Sequence, residues 1–212
     1  MGTFVLASPL RPPLSAAWDA HSLSVLTGGR FEMGIGTGRP QVQQDAERMG
    51  LPFGSPADRL QQVIDTIAAL RALDGQARTP VLMAAAGPKA LAVAAAHADI
   101  VALAGAALTP REQMITMAAR ARELAGEPAG QPVLSMNVFV VGDRVEPWVQ
   151  RFIGADAETL IAHDSLTMLR GTPEDMAAEL ERRRTELGVS YITVNSAAME
   201  AFAPVIPLLD GR

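Results

Sequence analysis

The residues that could do chemistry gather where apolar runs end. Ala84-Ala85-Ala86-Gly87-Pro88-Lys89 leaves one such run and opens a helical pattern. The free N–H groups of a helix's first turn can hold an anion, and Lys89 adds a point charge beside them. Gly34-Ile35-Gly36-Thr37-Gly38-Arg39 closes a second run, and Ala7-Ser8-Pro9 closes a third. Ala104-Gly105 follows a fourth run, a fifth carries Asn137, and the last ends near Asn195. These ends are small, which lets a flat ring approach the backbone. A tight strand-to-helix turn with a solvated lysine would give the same letters, and glycines punctuate any such loop. Spacing alone therefore leaves both the phosphate cradle and the plain turn open. Ser8, His21, His97 and His163 fall in no order that suits a nucleophile, a base and an orienting acid. His97, just before Asp99, reads as structural, and His163-Asp164 as a lid or a solvated turn. No His, Asp and Glu residues have metal-ligand spacing. Arg182-Arg183-Arg184 has Glu179, Glu181 and Glu186 around it and reads as a solvated helix face.

Composition narrows the partners. The chain has 212 residues, 49% of them hydrophobic, enough for one packed core and too apolar for disorder. A single domain over 1–212 is expected. Lys and Arg total 18 against 23 Asp and Glu, so the net charge is -5, the wrong sign for a nucleic-acid partner. There is no cysteine, hence no disulfide, thiolate ligand or thiol nucleophile. The Ala-rich stretch Leu91 to Leu108 carries His97 and Asp99 and is too weakly apolar to span a membrane. No basic stretch precedes an apolar core at Met1. The expectation is a cytoplasmic protein acting on a small molecule.

The elements that must position these residues alternate. Strands are expected at Thr3–Ala7, Phe31–Gly36, Pro80–Ala84, Asp99–Leu103, Val133–Val141 and Tyr191–Val194, as short apolar runs typical of buried parallel strands. Ser55-Pro56-Ala57-Asp58, Thr109-Pro110-Arg111-Glu112 and Thr172-Pro173-Glu174-Asp175 each offer a hydroxyl cap, a proline at the first helical position and an acid at the third. Leu60, Val63, Ile64, Ile67 and Leu70 share one helix face, and Met176, Leu180 and Leu187 share another before Gly188. Val145–Gly171 is a long connection with Trp148, Phe152 and Leu160 expected to point inward. Strand and helix in strict alternation mean an α/β protein with a parallel sheet. An open doubly wound sheet and a closed (β/α) barrel both fit. The absence of G-x-G-x-x-G weakens the dinucleotide version of the former.

Three motifs resemble one family. Leu23-Ser24-Val25-Leu26-Thr27-Gly28-Gly29-Arg30-Phe31-Glu32-Met33-Gly34-Ile35-Gly36-Thr37-Gly38 is similar to the central signature of the bacterial luciferase-like flavin and deazaflavin oxidoreductases. Pro80 to Leu91, running into Ala98-Asp99-Ile100, resembles their phosphate-loop strand and following helix. Gly171-Thr172-Pro173-Glu174 with Gly188-Val189-Ser190-Tyr191-Ile192 resembles their last helix and strand. The tail Met199-Glu200-Ala201-Phe202-Ala203-Pro204-Val205 resembles an actinobacterial branch assigned to coenzyme F-420.

The resemblance implies a TIM-barrel enzyme binding a flavin or deazaflavin at the strand C-termini. Its ring would lie across Ala7-Ser8, where the family often has a non-proline cis peptide. Gly36, Thr37 and Gly38 would line the ring. The backbone at Ala85, Ala86 and Gly87, opening the helix at Pro88 and Lys89, would hold the phosphate. The activity implied is hydride transfer between coenzyme F-420 and a small organic substrate. An FMN-dependent monooxygenase, or a non-catalytic flavin-binding or scaffold member of the same fold, is the alternative. The family also implies two βα units ahead of Thr3 and a long excursion where Asp74-Gly75-Gln76-Ala77-Arg78-Thr79 stands. The barrel expected is therefore truncated, with about six βα units where the standard barrel has eight. Its outer strands would be open edges that invite pairing. A homodimer is expected, with Pro12–Leu26 and Ser55–Leu73 as its surface by analogy with the family.

Overall fold

The computed structural model describes residues 1–126 and 130–209. Two compact units emerge, Met1–Ala102 with Ala121–Pro132, and Leu103–Arg120 with Val133–Arg212.

The first unit runs β1 (Leu6–Ala7), a 3₁₀ turn at Ser8–Leu10, α1 (Pro13–Leu26), β2 (Met33–Gly36), α2 (Val42–Arg48), α3 (Pro56–Asp74), β3 (Val81–Ala85), α4 (Pro88–His97) and β4 (Ile100–Leu103). Its strands neighbour one another in chain order, with Leu6 opposite Ile35, and Met33, Gly34 and Ile35 opposite Val81, Leu82 and Met83. Both of these pairs are parallel, and each crossover carries a helix. The first strand is shorter than expected; ahead of it, Gly2 only bridges Glu32. α3 turns Val63, Ile67 and Leu70 into the core, and α1 turns in Ala16, Ala17 and Ala20. Such small side chains let α1 and α3, which pack together, approach closely. α3 starts with the capping box read from the sequence: Asp58 N–H donates to Ser55 Oγ at 3.2 Å, and Ser55 N–H donates to Asp58 Oδ2 at 2.8 Å. The Ser55 backbone N–H, and after it the Ser55 hydroxyl, hold the Asp58 carboxyl below its ordinary range.

The short link Asp74–Thr79 is tightly bonded. The Asp74 carboxylate accepts from Thr79 N–H at 2.7 Å, from Thr79 Oγ1 at 3.1 Å and faces His21 Nδ1 at 2.9 Å. Asp99 accepts from Val81 N–H, Arg71 and Arg78 at 2.8, 2.6 and 2.6 Å, fixing β3 against the end of α3. Burial pushes both carboxyls up, and these donors hold them below the usual range.

In the second unit, α5 (Arg111–Ala125, its end counted with the first unit) precedes β5 (Val133–Val138) and β6 (Val140–Val141). Then follow α6 (Pro147–Ile153), α7 (Ala157–Ala162), β7 (Met168–Leu169), α8 (Pro173–Leu187), β8 (Val189–Val194), α9 (Met199–Phe202) and α10 (Ile206–Leu209). β5 pairs in parallel with β8, while β6 pairs in parallel with β7 in a separate two-stranded sheet.

Three sequence expectations change here. The run Val133–Val141 is not one strand: at Phe139 the backbone turns to Thr167 O, its N–H donating at 2.8 Å, and the chain passes from one sheet to the other. Trp148 and Phe152 do not point inward; they are 44% and 52% exposed. Val149 and Ile153, also four apart, take the inner stripe of α6, joined by Leu160. Arg183 is not on a solvated face. Its position lies at helical spacing with Met176, Leu180 and Leu187, and it is buried with them. Its guanidinium donates to Leu166 O at 2.7 Å, Met168 O at 2.9 Å and Glu179 Oε1 at 2.8 Å. Glu179 also accepts from Arg111 at 2.8 Å. Burial pushes its carboxyl up, and these arginines hold it low. His163 and Asp164 form an exposed turn, Asp164 with φ of 44° and its carboxylate 3.1 Å from Arg111 Nε.

Candidate functional site at the strand ends

In parallel α/β architectures, ligands bind at the C-terminal ends of the strands. The first unit brings three such ends side by side. Ala7 ends β1 directly opposite Gly36, the last residue of β2. A Cβ built on Gly36 would lie 3.7 Å from Ala84 Cβ on β3 and 3.2 Å from Val5 Cγ2. A Cβ on Gly38, which has φ of 76°, would lie 3.4 Å from both Ala7 Cβ and Pro9 Cδ. The sequence-expected set Ala7, Gly36 and Gly38 is thus one patch of small residues, flanked by Ala84.

Each strand end is pinned. A Cβ on Gly34 would sit 2.0 Å from Thr3 O, so only glycine admits this approach of the two segments. Thr3 Oγ1 donates to Gly34 O at 2.7 Å and accepts from Gly34 N–H at 3.0 Å. Ser8 is buried, and its hydroxyl donates to Arg59 O at 3.1 Å. Arg59 Nε donates in turn to Thr37 O at 3.0 Å, and its NH1 to Gly54 O at 2.9 Å, with the guanidinium 4.2 Å over the Phe53 ring. One arginine at the start of α3 therefore ties together the loops after β1 and β2. Sequence reading missed Arg59; its only signal was its position directly after the Ser55-Pro56-Ala57-Asp58 cap. The cis peptide lies at Phe4–Val5, and Ala7–Ser8, where the resemblance implied it, is trans.

β3 ends at buried Ala85, and Ala86, Gly87, Pro88 and Lys89 are exposed. Gly87 is the N-cap of α4, with φ of -85° and ψ of 160° and no side-chain cap on the helix. Pro88 has no N–H, so the first-turn donors open to a ligand are the amides of Lys89 and Ala90. Gly87 has a backbone that any residue adopts, and a Cβ there would meet nothing within 4 Å. The fold itself does not demand glycine at that point. The helix start without a side-chain cap, with these two amides and exposed Lys89 beside it, fits a cofactor phosphate. His97 is exposed at the end of α4. Among the described residues, no three His, Cys, Asp or Glu side chains gather into a metal site, and no helix is long and apolar enough to cross a membrane.

Comparison with known proteins bears on the fold and the family. An uncharacterised protein of Mycobacterium tuberculosis and another of Mycobacterium bovis are each 39% identical over 67 residues, 32% of this chain and 23% of theirs. An F-420-dependent secondary alcohol dehydrogenase superposes with a TM-score of 0.73 at 15% identity, over 98% of this chain and 78% of that one. The EDTA monooxygenase of Chelativorans sp. BNC1 gives 0.72 at 14% identity, over 98% and 72%. The F-420-dependent tetrahydromethanopterin reductase of Methanopyrus kandleri gives 0.69 at 18% identity, over 99% and 83%. At such identities the likeness is one of fold, the α/β luciferase-like barrel type. The family model described as luciferase-like monooxygenase matches residues 1–163, which include the ends of β1, β2 and β3. The chain therefore belongs to the luciferase-like monooxygenase family.

Proposed function

We propose that this protein is an oxidoreductase that moves a hydride between coenzyme F-420 and a small organic substrate. The observation that carries this reading is the patch Ala7, Gly36 and Ala84 on three neighbouring strands, beside an uncapped helix N-terminus at Gly87. F-420, when bound, supplies the redox chemistry at C5 of its deazaflavin ring, and the protein supplies binding and orientation. Ala7, Gly36 and Gly38 leave room for a flat ring against the backbone. Thr3 and Arg59 keep the strand ends in register, so that the room persists without ligand. The backbone at Ala85, Ala86 and Gly87, with the amides of Lys89 and Ala90, offers donors to a phosphate, and Lys89 adds a screened charge. The resemblance of the Met199–Val205 tail to an F-420-assigned branch supports F-420 over FMN. We further infer a homodimer. α1 exposes Leu14, Trp18, Val25 and Leu26 at 65, 60, 63 and 81%, a row of apolar side chains that a second copy would cover.

Fluorescence titration with F-420 and with FMN tests the cofactor. Binding of F-420 with no oxygen uptake when reduced cofactor meets a substrate panel is the expected result. Tight FMN binding with oxygen uptake coupled to product would replace this reading by a monooxygenase. Binding of neither would leave a non-catalytic member of the family.

A further inference from the structure

Parallel strands covered on both faces normally carry apolar side chains on both. The β5–β8 pair departs from this. Leu134 lies opposite Val189 and Ser135 opposite Tyr191, so Ser190 is an extra residue looped into β8. From there the register is regular: Met136 with Ile192, Asn137 with Thr193, Val138 with Val194. Side chains alternate between faces. Val138, Ile192 and Val194 share the face packed on Met176, Ala177 and Leu180 of α8. The opposite face carries Ser135 and Tyr191 on one rung and Asn137 and Thr193 on the next. All four can hydrogen-bond, and none is an acid or a base of the Lys, Arg or His kind.

The rung nearer the C-terminal end is oriented. Thr193 Oγ1 donates to Asn137 Oδ1 at 3.0 Å. That bond takes one lone pair of the amide oxygen and orients the amide, leaving the Nδ2 donors for another partner. Asn137 is half-buried. On the rung below, Ser135 is fully buried and its Oγ has no hydrogen-bond partner. A buried hydroxyl without a partner destabilises the fold, and its retention calls for an explanation. It lies next to an oriented donor, on a polar face where the architecture favours apolar residues.

We propose that this face binds the oxygen of a small, uncharged organic molecule, a ketone or an alcohol. The oxygen accepts a hydrogen bond from Asn137 Nδ2, and the Ser135 hydroxyl completes the site from the rung below. Thr193 is a positioning residue that acts through Asn137. Naming this molecule as the substrate rests on the oxidoreductase reading above; the binding site does not.

Saturation-transfer NMR on the whole protein tests it with butan-2-one, cyclohexanone and cyclohexanol as probes and diethyl sulfide as an oxygen-free control. Wild type, Asn137→Ala, Thr193→Val and Ser135→Ala are compared, with circular dichroism to check folding and F-420 titrated in parallel. The wild type should bind at least one oxygen-bearing probe and not the sulfide. Asn137→Ala should weaken that binding about tenfold and Thr193→Val about threefold, the range of one neutral hydrogen bond. Ser135→Ala should weaken binding yet raise the melting temperature of the ligand-free protein, which a merely structural serine would not do. The proposal is overturned if the wild type binds none of the oxygen probes, or if both Asn137→Ala and Thr193→Val bind them as tightly as the wild type does. Loss of F-420 affinity in Asn137→Ala, with probe binding intact, would assign the oxygen to the cofactor ring and overturn the substrate assignment. If F-420 binds no variant while the ketones behave as described, the oxidoreductase reading fails and this site stands.

Discussion

Replacing Arg183 by methionine isolates the worth of one buried cation. The side chain is 2% exposed and makes three hydrogen bonds, two of them to the backbone carbonyls of Leu166 and Met168. Replacing a buried ion pair with well-packed apolar groups can be neutral when both charges go. Here the carbonyls cannot be replaced. Leu166 leads into β7 and Met168 opens it, and both are buried, 3% and 4% exposed. Losing a donor costs each carbonyl about 1–3 kcal/mol, so the gross loss is about 2–6 kcal/mol. The third partner, Glu179, keeps Arg111 at 2.8 Å and Arg182 at 3.2 Å, so no unpaired carboxylate is added to the bill. Burial pushes the Arg183 guanidinium below its ordinary range, and Glu179 opposes this. Losing the charged bond to Glu179 raises the low end of that range and the returned desolvation trims the high end, so the net loss is about 2–4 kcal/mol.

For a chain of this length, each kcal/mol shifts the melting temperature by about 2–4 °C, so Arg183→Met should melt about 4–16 °C below wild type. Arg182→Met is the control. That side chain is 48% exposed and, among the described residues, pairs with carboxylates at 3.2 to 3.6 Å. It should cost about 1 kcal/mol or less. Circular-dichroism melts and urea titrations of the three proteins at pH 7 decide the matter. If Arg183→Met and Arg182→Met unfold together, Arg183 is no anchor for the segment leading into β7.

The remaining expectations follow from the same geometry. Gly87→Val should weaken F-420 binding at least tenfold by blocking approach to the α4 amides, while Lys89→Ala, an exposed charge at a helix end, should change it by about 0.3–1 kcal/mol; equal affinities in a fluorescence titration would reduce the loop to a turn. Arg59→Ala removes the bonds to Thr37 O and Gly54 O, and should lower both thermal stability and cofactor affinity, with unchanged affinity counting against its positioning of the Gly36–Gly38 loop. Asp74, Asp99 and Glu179 have carboxyls held below their unfolded values, so their contribution is present above about pH 4 and is lost as pH falls through the folded values. Urea midpoints should thus hold between pH 7 and 5 and drop below 4, less steeply in Asp99→Asn. Trp18→Glu on α1 should convert a light-scattering dimer into a monomer with its melting transition intact, and a wild-type monomer at micromolar concentration would remove the dimer reading.

How far the sequence reaches depends on whether a feature is set along the chain or across it. The strand ends were legible because short apolar runs followed by Ala-Ser-Pro, Gly-Thr-Gly and Ala-Gly-Pro are local patterns, and parallel α/β order brings those ends together. Helix starts were legible for the same reason, as Ser55 with Asp58 and Thr172 with Asp175 both form reciprocal caps. The stripe of a helix that turns inward was not. Trp148 and Phe152 have the same spacing as Val149 and Ile153, and only packing decides between them. Arg183 shows the converse: its spacing from Leu180 and Leu187 put it on the buried face, and its charge hid that signal. Arg59 escaped because its partners are the backbone carbonyls of Thr37 and Gly54, which no residue type announces. The polar rungs of β5 and β8 escaped for a stronger reason. Asn137 meets Thr193 and Ser135 meets Tyr191 only because Ser190 is looped out between Val189 and Tyr191. Without that one-residue shift, the faces of β8 would exchange, and Ile192 and Val194 would stand where the hydrogen-bonding face now is. The composition of that face, unlike that of the Ala7–Gly36–Ala84 patch, is therefore decided by the bulge rather than by any run of residues.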